Sequence, residues 1–536
     1  MEVSVIGSSQ ANLGASELAS REVGFCNLKN NLRALNDRVS FGRNNIRWEK
    51  AGISFTLRAL QTEPVREEKK PSGIGTRSKM ANGLRLFVGL PLDAVSYACN
   101  SINHARAISA GLKALKLLGV EGVELPIWWG IVEKDAMGQY DWSGYLAIAE
   151  MVQKVGLKLH VSLCFHGSKK PNIPLPKWVS QIGESQPSIF FTDRSGQHYK
   201  ECLSMAVDNL PVLDGKTPVQ VYQSFCESFK SSFSPFMGST ITSISMGLGP
   251  DGELRYPSHH WLPSNGKTQG AGEFQCYDQN MLSFLKQHAE ASGNPLWGLG
   301  GPHDAPIYDQ PPYNGFFNDG ASWESTYGDF FLSWYSNQLI AHGDCLLSLA
   351  SSTFGDSGVA IYGKIPLMHS WYGTRSHPSE LTAGFYNTVN RDGYGPVAQM
   401  FARNSCKIIL PGMDLSDANQ PKENHSSPEL LLAQIMEACK KHEVQVSGQN
   451  SSESGVPGGF EQIKKNLSGD NVLDLFTYHR MGASFFSPEH FPLFTEFVRS
   501  LKQPELHSDD LPAEEEVGAE SAVVMSRDST VSMQAA

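Results

Sequence analysis

Between Ile244 and Ser258 the sequence reads Ile-Ser-Met-Gly-Leu-Gly-Pro-Asp-Gly-Glu-Leu-Arg-Tyr-Pro-Ser, and its carboxylate at Glu253 stands in a setting suited to proton transfer. Ser243 to Met246 alternates polar and apolar as a strand does, and Gly247, Gly249, Pro250 and Gly252 then force a loop. Glu253 is therefore expected just past the C-terminal end of a strand, where open α/β sheets and α/β barrels keep their chemistry. The plainer alternative is an acid paired with Arg255 on an ordinary loop. Metal chemistry finds no comparable support, because His259 and His260 are adjacent rather than one helical turn apart and His-Glu-x-x-His does not occur.

An acid so placed needs a sheet to hold it, and the chain from Leu84 onward supplies one as strand, loop and helix in repetition. Strands are expected at 85–91, 123–127, 158–163 and 243–246, then at 359–365, 407–410, 443–447 and 473–478. Helical stripes fall between them: 104–118, 142–155, 219–231, 330–350, 395–403 and 429–441, with a last one at 488–501. A long excursion through Phe190 to Ser195 separates the third strand from the fourth. Eight βα units in a row imply an α/β fold, a single (β/α)8 TIM-type barrel with large βα loops, over residues 81–502.

Composition sets the surroundings of that barrel. In 536 residues there are ten tryptophans and 27 phenylalanines, enough for a substantial core and for aromatic surfaces that could face sugar rings. The formal charge of -11 is unevenly spread. Residues 1–80 hold 13 Lys/Arg against eight Asp/Glu, whereas 503–536 hold one Arg against eight acids. Residues 3–16 are uncharged and rich in Ser, Gly and Ala, and an arginine-bearing segment follows, so 1–80 reads as a plastid transit peptide and linker, with a disordered basic arm as the alternative. The acidic, serine-bearing 503–536 reads as a disordered tail. The net acidic middle offers no basic stripe for nucleic acid or anionic lipid, and no apolar run approaches the ~18 residues of a membrane span. Nine scattered cysteines without Cys-x-x-Cys fit a reducing compartment.

The acid-bearing run Gly-Leu-Gly-Pro-x-Gly-Glu-Leu-Arg-Tyr-Pro-Ser resembles the signature of the β-amylases, glycoside hydrolase family 14, which release maltose from starch chain ends with inversion. Further stretches match it over residues 84–502: Trp128-Trp-Gly-Ile-Val-Glu133, Gln139-Tyr-Asp-Trp142, Glu273-Phe-Gln-Cys-Tyr-Asp278, Phe330-Phe-Leu-Ser-Trp-Tyr335, Glu380-Leu-Thr-Ala-Gly384 and Arg391-Asp-Gly-Tyr394. The family usually has Ser or Ala at the position of Asp251 and Tyr at that of His259. The resemblance implies that Glu253 is the general acid of an inverting hydrolase, which needs a second carboxyl group roughly 6.5–9.5 Å away to activate water. In the family that base is a Glu just after strand seven, and here the stretch reads Val446-Ser-Gly-Gln449-Asn450-Ser-Ser452. An amide takes up no proton near neutral pH, so Gln449 marks a missing base.

Other departures point the same way. The family's lid after strand three becomes the shorter His166-Gly-Ser-Lys-Lys-Pro-Asn172; the acid before the Trp-Trp pair is matched by Pro126; and Ile409 stands where a threonine touches sugar. His166, Lys364, His369, Asn450, Ser451 and Arg480 stand at substrate-contacting positions, with Trp128 and Trp371 able to supply aromatic faces. The structural alternative is that Arg480 or Lys364 merely neutralises Glu253. The expectation is a plastid (chloroplast stroma) β-amylase-like protein with little or no maltose-releasing activity. Its role would be regulatory or scaffolding, and its partners starch, maltooligosaccharide or another protein of starch metabolism, with no cofactor, metal, nucleic acid or membrane. Two alternatives stand beside it. One is an active but slow hydrolase using Asp414 or Asp417 as base, and the other a protein-interaction module without sugar binding.

Overall fold

The computed structural model describes residues 84–259, 270–308, 310–451, 457–468 and 473–501. The expected transit peptide, linker and acidic tail lie outside the described residues. Among these, the strands in chain order are β1 (Arg85–Gly89), β2 (Gly122–Trp128), β3 (Lys158–Cys164), β4 (Phe190–Thr192), β5 (His198–Leu203), β6 (Ile241–Met246), β7 (Ala360–Lys364), β8 (Lys407–Leu410), β9 (Val446–Gln449) and β10 (Leu473–Tyr478). All but β4 and β5 are parallel and close a barrel in the order β1-β10-β9-β8-β7-β6-β3-β2. The expected eight-stranded barrel is therefore present, and each barrel strand overlaps one of the expected strands, most of them apolar runs. Such runs mark strands buried on both faces, between barrel interior and outer helices.

Two local expectations are corrected. The seventh barrel strand, expected at 443–447, starts at Val446 and runs to Gln449. The preceding helix Pro428–Lys441 closes through the turn in which Val444 N–H bonds the Cys439 carbonyl at 2.9 Å and Glu443 adopts a φ of 57°, which takes those residues out of the sheet. Gln449 is consequently the last strand residue rather than part of the following loop. The excursion after β3 contains an antiparallel hairpin, β4 with β5, that was not read from the sequence. Helices Lys177–Ser185, Gln279–Ala291 and Gly459–Leu467 were also not read from the sequence.

The outer helices bury apolar stripes against the barrel. Ile108, Leu112 and Leu115 do so on helix Ala105–Leu118, at the three- and four-residue spacing of one helical face. Between helices and sheet lies an aromatic layer in which Trp129 meets Trp178, Tyr222 and Phe165 edge-on, at 5.3–6.1 Å between ring centroids. Tyr256, just beyond the acid loop, stacks on Tyr335 at 3.9 Å. Tyr335 belongs to helix Thr326–Phe354, whose 29 residues span about 43 Å. That contact ties the segment following Glu253 to the longest rigid element described.

Candidate functional site

The loop that carries the acid is shaped by two glycines. A Cβ on Gly247 would lie 2.5 Å from the Leu163 carbonyl oxygen of β3, and one on Gly249, at φ 151°, would lie 2.7 Å from the Glu253 carbonyl oxygen. Only glycine lets the chain turn so close to the neighbouring strand. Glu253 then runs beside the end of β7, with Leu254 N–H donating to the Lys364 carbonyl at 2.8 Å. Its side chain is held by two cations: Lys364 Nζ lies 3.1 Å from Oε1, and Arg255 Nε donates to Oε2 at 2.8 Å. Arg255 also bonds the Asp251 carboxylate. The ordinary-loop pairing with Arg255 is thus real, and Lys364 is added to it.

At the C-terminal mouth of the barrel there are two spaces. The outer one, about 690 Å³, is a cleft walled by the loops after β3, β6, β7 and β8, and Glu253, His369 and Ser451 line it. The inner one, about 90 Å³, is lined by Pro126, His166, Lys364, Ile409, Gln449 and Arg480, together with Glu124 and His479. Lys364 and Glu253, paired across 3.1 Å, belong to opposite sides of the division. The two spaces adjoin at Asp251, which lines both, with the acid on the outer side and the amide that stands for its partner on the inner.

The inner space is chemically quiet. Burial pushes the His166 imidazole down to about 4, and burial together with the positive charges of Arg480 and Lys364 pushes His479 well down from its ordinary value, so both rings are neutral near pH 7. Gln449 Oε1, His166 Nδ1 and His479 Nε2 are buried there without a hydrogen-bond partner. Glu124 faces the same cavity and is ion-paired with Arg480, Oε2 to Nη1 at 3.3 Å. Arg480 thus neutralises Glu124 rather than Glu253, and it also bonds the Leu90 carbonyl.

Several of the expected site residues are engaged by other protein groups. Asn450 lines neither space: its Nδ2 donates to the His479 carbonyl at 2.8 Å and its Oδ1 accepts from His479 N–H at 2.7 Å, so the amide ties the ends of β9 and β10 together. Trp371 is fully buried, packed near Tyr313 and His425, and offers no open face. Trp128 borders the inner cavity but is 3% exposed, its Nε1–H bonded to the Leu92 carbonyl at 2.7 Å. Asp414 is occupied by Ser451, accepting from its N–H at 2.6 Å and its hydroxyl at 2.8 Å. Asp417 accepts from Ser427 Oγ at 2.7 Å and from Glu429 N–H at 3.0 Å, at the start of helix Pro428–Lys441. Neither aspartate lines the cavity that Gln449 lines; the carboxylates there are Glu124 and Asp251.

Glu124 was missed. Its signal was present in Val123-Glu-Leu-Pro-Ile127, where an acid occupies the alternate position to Pro126 on an otherwise apolar strand. The two side chains share one face of β2, and both line the inner cavity.

A closed parallel barrel with a strand-end carboxylate facing a mouth cleft is the architecture of the barrel glycoside hydrolases, and the comparisons narrow it. The sequence profile of Glycosyl hydrolase family 14 matches residues 87–505. The chain is 59% identical over 541 residues to inactive beta-amylase 9 of Arabidopsis thaliana, with 100% of each chain covered. It is 40% identical over 474 residues to chloroplastic beta-amylase 1 of the same plant, covering 84% of this chain and 82% of that one. Among solved structures, the catalytic domain of beta-amylase from Paenibacillus polymyxa aligns with a TM-score of 0.65 at 26% identity, over 80% of this chain and 100% of the other. The protein belongs to glycosyl hydrolase family 14, the β-amylase family.

Proposed function

We propose that this chain is a non-hydrolytic member of its family that serves α-1,4-glucan metabolism in plastids by binding glucan, in a regulatory or scaffolding role. The observation that carries the reading is Gln449, a buried amide at the end of β9 where the family's base is expected. Inversion requires one carboxyl to protonate the leaving oxygen and a second to deprotonate water. Glu253 supports the first role. For the second, an amide has no proton affinity at neutral pH, and loss of general-base catalysis alone removes about 10²–10⁴ in rate.

The surroundings support the same conclusion. Pro126 and Ile409 line the inner cavity with carbon where the family places a carboxylate and a hydroxyl. The short Gly167–Asn172 segment replaces a lid that would exclude water. The plastid assignment rests on the arginine-bearing residues 1–80 and on the chloroplastic name of one relative; the relative at 59% identity carries no such label.

The test is maltose release from soluble starch by the purified protein and by its Gln449→Glu variant, beside an active relative. Both should fall at least about 10²-fold below that relative, because restoring the base leaves substrate positioning unrepaired. Hydrolysis by the unaltered protein within about tenfold would overturn the reading. Strong hydrolysis by the variant alone would mean that a single residue had silenced an otherwise working site.

A further inference from the structure

We infer that the outer cleft grips α-1,4-glucan without regard to chain ends, because the cavity beneath it is too small to take a terminal sugar. The inference deepens the proposed function and rests on its glucan-binding part. A cavity of about 150 Å³ accommodates a six-membered carbon ring, and a hexose has roughly twice as many heavy atoms as that ring. The inner cavity offers about 90 Å³.

Its walls are also firmly held. Trp128 is fixed through Leu92 and meets the His166 ring edge-on at 5.2 Å. Ile409 is 2% exposed at the end of β8. On the β2 and β10 sides, Glu124 and Arg480 form their buried ion pair. Making room for a ring would separate those charges in a poorly solvated space, which is strongly unfavourable.

The outer cleft lacks this restriction. Its volume of about 690 Å³ lies within the ~300–1,000 Å³ typical of ligand sites. Leu367, Met368 and Leu415 give it apolar surface for the CH faces of sugar rings, and Lys169, Glu201 and His369 give it polar groups for hydroxyls. Lys169 and Lys170 are exposed at its edge. A glucan lying in this cleft has no blind pocket into which its non-reducing end must fit, so an internal stretch of chain is as good a ligand as a terminal one.

Calorimetric titration separates the outcomes, using maltoheptaose and the same oligosaccharide capped by a 4,6-benzylidene group on its non-reducing residue. The two should bind within about threefold of each other, a difference of well under 1 kcal/mol. A Leu415→Arg variant should weaken both by about tenfold or more, since it places a long charged chain in the cleft. Capped ligand binding more than about tenfold more weakly than uncapped would overturn the inference while leaving glucan binding intact. Unchanged affinity in Leu415→Arg would overturn it too, by placing the ligand elsewhere. If neither oligosaccharide binds the folded protein, the glucan-binding reading fails and the inference fails with it.

Discussion

At the scale of single residues, the amide of Gln449 is no base, and no protein group bonds its Oε1. Its Oε1 is buried with no hydrogen-bond partner, and an unpaired buried acceptor costs about 1–3 kcal/mol of desolvation. Methionine has nearly the same length and no such penalty. The Gln449→Met variant should therefore be more stable by about 1 kcal/mol, seen as a higher urea midpoint at an unchanged slope. A fall of similar size would show that the amide is bonded in solution. The residue scale is also where the sequence was least complete. Gln449 could be recognised through its motif, but the commitment of Asn450 to the His479 backbone and the pairing of Glu124 with Arg480 join residues 29 and 356 positions apart. No local pattern encodes such contacts.

At the scale of elements, helix Thr326–Phe354 is coupled to the acid loop through His342 as well as Tyr335. Its Nδ1 lies 2.6 Å from Asp208 Oδ2 and its Nε2 3.1 Å from the Leu248 carbonyl. Both neighbours accept hydrogen bonds, so both ring nitrogens must carry protons and the ring is an imidazolium. Burial opposes that charge, but Asp208's charge and hydrogen bond outweigh it and raise the pKa above its ordinary value. A raised folded-state pKa gives stability that is complete below the unfolded value of about 6.5 and is lost as pH rises through the folded one. His342→Gln should accordingly cost about 3–5 kcal/mol near pH 6, because it leaves a buried carboxylate uncompensated. The gap from the unaltered protein should narrow as pH is raised from about 6 into the alkaline range and the native ring loses its proton. Urea melts of both proteins across that range check this, and a constant gap would contradict the charged ring.

Elements were also the most legible level. Apolar runs announced the barrel strands, and the 3.6-residue stripe announced the helices that cover them, since both patterns follow from which face is buried. The misplaced start of β9 was a boundary matter, settled by a helix-ending turn, whereas the hairpin of β4 and β5 went unread as an element. Their geometry depends on partners distant in sequence.

At the scale of the molecule, the barrel closes where β1 lies between β10 and β2, pairing Arg85 with Leu475 and Phe87 with Gly122. Closure removes every edge, so deleting one strand exposes two rows of unpaired backbone groups. A chain spanning residues 81–502 should unfold cooperatively and bind maltoheptaose as the full-length protein does. One beginning at residue 92, which lacks β1, should not fold. Circular dichroism melts and the same titration distinguish the two, and loss of glucan binding in the longer chain would move the ligand site onto a terminal segment.

The buried pair of Glu124 and Arg480 gives this protein's history a direction. An acid reintroduced at Pro126 would share a space of about 90 Å³ with the carboxylate already on that face of β2. Removing Glu124 first would take away the carboxylate paired with the buried guanidinium of Arg480, and breaking a buried pair from one side costs about 3–5 kcal/mol. Either order of change works against the buried charges of the inner cavity, whereas the surface loops can change at little cost. The floor of the barrel thus acts as a ratchet. The outer face stays free to vary, but a second carboxyl at this floor has to be fitted around a buried ion pair already in place.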